Sequence, residues 1–104
     1  GNLHADAWQA ELREASMNME AGSIVRSLKG HDAGTYYIVL GAERERLLLA
    51  DGITKTPAAP KKKNRKHVSC EGRADELAGR LLEGLSVSEE EIKRTLKLWK
   101  AYHA

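Results

Sequence analysis

The sequence predicts a mainly β domain, a small five-stranded antiparallel barrel, followed by a C-terminal pair of short α-helices. Three observations carry that prediction. Ser23 to Leu28 and Thr35 to Leu40 are apolar runs dominated by Val, Ile, Tyr and Thr, residues that suit a pleated, half-buried surface. Lys29 to Gly34 joins them and supplies two glycines for a tight connection. From Glu71 onward the apolar period changes: Leu77, Leu81 and Leu85, with Ala74 and Ala78, share one helical face.

Taken in order, residues 1–18 place Ala5, Trp8, Leu12 and Ala15 at helical spacing, which predicts a short amphipathic helix that needs a surface to dock on. Met17 and Met19 are both usable natural starts, so this segment is as compatible with a cloning-derived or upstream extension as with a working element. Residues 19–70 form the predicted barrel. In its second strand Tyr36, Ile38 and Leu40 point to one face and Tyr37 and Val39 to the other, so one tyrosine is expected to stay partly exposed. Gly41 to Arg46 reads as a polar loop and Arg46 to Ala50 as a third strand. Asp51-Gly52 is a two-residue hairpin signal leading into Ile53 to Thr56. Pro57 and Pro60 then interrupt pairing, because neither can donate to a ladder, and Lys66 to Cys70 returns as the last strand.

Residues 71–104 form the helical pair. Gly84 is placed to end the first helix in a left-handed cap. Ser88 with Glu91 makes a capping box for the second, with Val87 stapled to Ile92. Ile92, Leu96 and Trp99 form the apolar stripe of that helix.

Composition narrows the function. The 104 residues contain no Phe and carry a net charge of only +2, but the charge is unevenly spread. Residues 19–70 hold ten Lys or Arg against five acids, whereas residues 1–18 hold one against three and residues 71–104 six against seven. The middle of the chain is its polyanion-facing part. Cys70 is the single cysteine, which excludes an internal disulfide, offers no zinc pair, and fits a reducing cytoplasm. No apolar run approaches the roughly 18 residues of a membrane span, and no secretory pattern opens the sequence.

The chemistry that stands out is basic. Lys61, Lys62, Lys63, Arg65 and Lys66 place five positive charges in six residues, a density that phosphates reward through counterion release. Polyanion binding is favoured here over a merely solvated loop, and neutralising the run is expected to abolish binding while leaving the barrel folded. Lys29 and His31 extend the charge to the hairpin turn. Tyr36 and Tyr37 offer stacking faces, although core packing is the better reading for at least one. Lys93, Lys97 and Lys100 form a stripe, but Glu89 and Glu90 pair with Lys93 and Arg94 at i, i+4, so it reads as a solvated face. Catalysis is not expected. Gly30 to Thr35 lacks the Lys of a phosphate-binding loop, His31-Asp32 has no nucleophile beside it, and the four histidines show no metal-ligand spacing. No cofactor is expected either.

Part of the chain also resembles a known family. Val25-Arg26-Ser27, the turn Lys29-Gly30 to Gly34, and the strand Tyr36 to Val39 resemble the KOW motif of ribosomal proteins and transcription-elongation factors. Leu47 to Gly52 followed by Pro60 to Val68 is similar to small KOW-containing RNA-binding proteins related to large-subunit ribosomal proteins. The similarity runs from Met19 to about Val68, close to half the chain. It implies a Src-homology-3-like barrel whose hairpin loop lies against RNA, with ribosomal RNA the expected partner and translation the setting. On that resemblance Lys29 would meet phosphate, Gly30 and Gly34 would let the backbone approach, and Arg26 would reach the same surface. The competing expectation is an adaptor docking a translation or transcription partner through Leu96, Trp99 and Tyr102.

Overall fold

The computed structural model describes residues 19–103, and the expected N-terminal helix lies outside them. Five strands, β1 (Ser23–Ser27), β2 (Tyr36–Glu43), β3 (Arg46–Ala50), β4 (Lys61–Asn64) and β5 (Val68–Arg73), form one antiparallel sheet in the order β4-β3-β2-β1-β5. The sheet is open, with β4 and β5 as its edges. A 3-10 turn over Arg65–His67 links the two edge strands. Two helices follow, α1 (Asp75–Leu82) and α2 (Glu89–His103).

Side-chain alternation builds a core on each face of the sheet. Val25, Tyr37, Val39, Leu47, Leu49 and Val68 pack together on one side. Ile24, Ile38 and Ala50 face the other, where Leu77 of α1 and Ile92 and Leu96 of α2 cover them. The predicted split of β2 therefore holds: Tyr37 is buried and Tyr36 only partly so. Gly72 of β5 faces the Trp99 ring so closely that a Cβ there would collide with it, so glycine at this position sets how near α2 can lie.

Helix ends follow the sequence signals. Gly84 has φ of 81°, and the bonds Gly84 N–H to Leu81 O and Leu85 N–H to Arg80 O close the first helix as a Schellman motif. Glu91 N–H donates to Ser88 Oγ at 3.2 Å and Ser88 N–H donates to Glu91 Oε2 at 3.3 Å, completing the capping box.

Three expected boundaries need correction. Gly41 to Arg46 is not a loop: β2 runs to Glu43 through a bulge near Gly41 and turns at Arg44 and Glu45. Ile53 to Thr56 is not the fourth strand. The Asp51 carboxylate accepts the N–H groups of Ile53, Thr54 and Lys55 at 2.8 to 2.9 Å, so those donors are withdrawn from any ladder. The fourth strand is instead Lys61–Asn64, paired with Arg46 to Leu49. The last strand starts at Val68 rather than Lys66 and continues to Arg73.

Candidate nucleic-acid interface

Strand periodicity decides what the basic run does. Because successive side chains of β4 point to opposite sides, Lys61 and Lys63 reach one partner and Lys62 another. That first partner is Asp32, in the turn between β1 and β2. Its Oδ1 accepts Lys63 Nζ at 2.7 Å and Ser27 Oγ at 2.9 Å, while Oδ2 accepts the Tyr37 hydroxyl at 2.8 Å. Lys61 Nζ lies 3.1 Å from the same carboxylate. Lys63 also donates to the Lys29 carbonyl at 2.6 Å, and its side chain is only 10% exposed.

Desolvation, the largest single influence on Asp32, pushes its pKa upward. The hydrogen bonds from Lys63, Tyr37, Ser27 and Lys61 together outweigh it and hold the carboxyl well below the usual carboxylate range. Tyr37 shifts the other way: burial, and donation to an ionised Asp32, hold its phenol above its ordinary value. The cluster thus pins the β1–β2 turn to the edge strand. Asp32 is the residue that sequence reading missed, having been weighed only as a neighbour of His31. The signal was available, since an inward Tyr37 needs an acceptor for its hydroxyl.

The other candidate residues divide into two groups. Lys62 pairs with Glu43 at 3.3 Å on the exposed surface, Arg26 Nε donates to Glu71 Oε1 at 2.8 Å, and Arg65 Nε donates to the Arg44 carbonyl at 3.1 Å. Lys29, Gly30, His31, Gly34 and Lys66 are exposed, and neither Lys29 nor Lys66 forms an ion pair among the described residues. A bond from Leu28 N–H to the His67 carbonyl, 2.8 Å, ties the hairpin turn to the 3-10 turn. It brings the segment carrying Lys29 beside the segment carrying Lys66.

Below these turns lies a cleft of about 580 Å³ with Leu28, Val68 and Cys70 in its wall. The adaptor surface, by contrast, needs correction. Leu96 is only 3% exposed and is spent covering the sheet. Trp99 packs partly against the same cluster and stacks on His103, with ring centroids 3.6 Å apart. Of the three residues only Tyr102, at 82%, stands in solvent. Amphipathic stripes look alike whether they meet a partner or their own sheet.

Among the described residues no His, Cys, Asp and Glu side chains gather in a group of three able to hold a metal ion, and no helix is long and apolar enough to cross a membrane. Compared with known proteins, the chain matches no family model and no curated relative.

Proposed function

We propose that this protein is a non-catalytic RNA-binding module of KOW type, which meets structured RNA mainly through its phosphate backbone. The observation that supports it best is the pairing of the hairpin turn with the 3-10 turn. That contact gathers Lys29 and Lys66 on one end of the sheet, and among the described residues neither forms an ion pair with an acid. Cations left uncompensated in this way can release counterions from a polyanion, whereas lysines already paired to carboxylates gain less. The strand order, with a 3-10 turn before the last strand, is in keeping with reading the open sheet as a Src-homology-3-like barrel. The ribosomal part of the reading rests on the sequence resemblance, and its cytoplasmic setting on the single cysteine.

The test is binding to a structured ribosomal RNA fragment across a salt series. The Lys29→Glu/Lys66→Glu double variant is expected to flatten the salt dependence by about 1.4 to 1.8 in log–log slope, two phosphates' worth. Lys62→Glu should change it far less. Replacing the whole basic run is a poorer test, because it also removes both lysine partners of Asp32. Unchanged affinity and slope in the double variant, with its fold intact, would overturn the proposal.

A further inference from the structure

The cleft under the two turns has the make-up of a nucleotide site rather than of a packing fault. Met19, Leu28, Val68 and Cys70 line it with aliphatic or sulfur-bearing side chains, and Ser69 adds a hydroxyl residue. Leu28 is 46% exposed, an apolar side chain held at the mouth by its backbone bond to His67. The rim carries Lys66 and Arg65, with Glu45 as its acid. Its volume, about 580 Å³, falls in the range of small-molecule sites, which are largely apolar with a few polar groups that fix orientation. Lys29 does not line the cleft but follows Leu28, which does, and is exposed.

We propose that this cleft receives one unpaired base of the bound RNA, while Lys66 and Lys29 hold the phosphates on either side of it. The inference rests on the RNA-binding reading above and adds the form of RNA selected. A nucleotide joins a flat, largely apolar base to a phosphate a short reach away, which matches an apolar floor beneath a cationic rim. An apolar peptide side chain would use the floor and leave the lysines idle. Bases inside a duplex are stacked and cannot enter, so the cleft favours a bulge or loop over a continuous helix. A carboxylate only accepts, so Glu45 suits a base presenting an exocyclic amine better than uracil, which has none.

The experiment compares an RNA duplex with the same duplex carrying one bulged adenosine. Wild-type protein should bind the bulged form about five- to tenfold more tightly, as burial of one base face would give. Cys70→Trp, which fills the cleft, should lose that preference and keep its affinity for the plain duplex, with its fold checked by circular dichroism. Because Cys70 is the single cysteine, alkylation of the wild type by iodoacetamide reads the cleft without any substitution. Bulged RNA should slow it severalfold and duplex RNA should not. Equal binding of the two RNAs, or bulged RNA that is preferred but leaves Cys70 as reactive as before, overturns the base site while RNA binding itself stands. Binding of neither RNA overturns the reading beneath it as well.

Discussion

Lys66 follows the lysines of β4 by three residues and Lys63 donates to the Lys29 carbonyl, yet the lysines of the strand and those of the adjoining turns do different work. Lys61 and Lys63 are held by Asp32, and Lys63 is almost fully enclosed. Lys29 and Lys66 sit on turns, exposed, and form no ion pair among the described residues. Charge density along a chain is therefore not charge available to a ligand. What separates the two sets is a single carboxylate about thirty residues upstream of the strand, brought beside it by sheet pairing.

Changing that carboxylate should have the largest effect. Asp32→Ala leaves the Tyr37 hydroxyl without its acceptor and Lys63 and Ser27 with only the Lys29 carbonyl, and a cost of about 2 to 4 kcal/mol in urea unfolding is expected. If the variant is as stable as the wild type, the cluster does not pin the turn and the contrast fails.

Acid should reveal the same group. The folded pKa of Asp32 lies below its ordinary value of 3.8, so the unfolded chain takes up the proton first. The contribution is fully present above that value and is lost as pH falls below it toward the folded pKa. Urea midpoints measured from about pH 5 down to about pH 2 should fall steeply in the wild type and less steeply in Asp32→Asn. Asp51 and Glu91 shift in the same direction, so the variant's curve is shallower rather than flat.

Lysine-to-methionine substitutions should then give a graded series. Lys63→Met is expected to cost about 1 to 3 kcal/mol, because it leaves an enclosed carboxylate short of its best partner. Lys62→Met, which breaks a pair in which both side chains are more than half exposed, should cost under about 0.5 kcal/mol. Equal losses from the two would mean that enclosure does not distinguish them. At the small end, Lys66→Glu should leave the unfolding curve within about 0.5 kcal/mol of wild type while weakening RNA binding. A large stability loss there would show that the turn lysine is structural after all.

Local signals in the sequence proved sound where one element sufficed. The hairpin around Lys29 to Gly34, the face alternation of Tyr36 and Tyr37, the capping box of Ser88 and Glu91, and the cap at Gly84 all depend on neighbours within a few residues. The fourth strand was misplaced because Asp51-Gly52 carries two meanings. The pair can turn a hairpin, or the aspartate can fold back on the next three N–H groups, and only the second happens. Lys61–Asn64 went unread as a strand because three lysines in a row look solvated, although charge is well tolerated on a sheet edge.

By itself, then, the sequence determined the strand-rich first part, the helical second part, both helix caps and the concentration of positive charge in the middle. Those features follow from short-range periodicity and backbone preference, which a linear string contains. Tertiary structure alone decided which lysines Asp32 would neutralise, that Leu96 and Trp99 would be spent on the helix-covered face of the sheet, and that a cleft would open beside Lys66. Each of these depends on residues far apart in sequence that meet only once the strands have paired and the helices have packed. Ion pairing and burial act on distance in space, and the sequence records only distance along the chain.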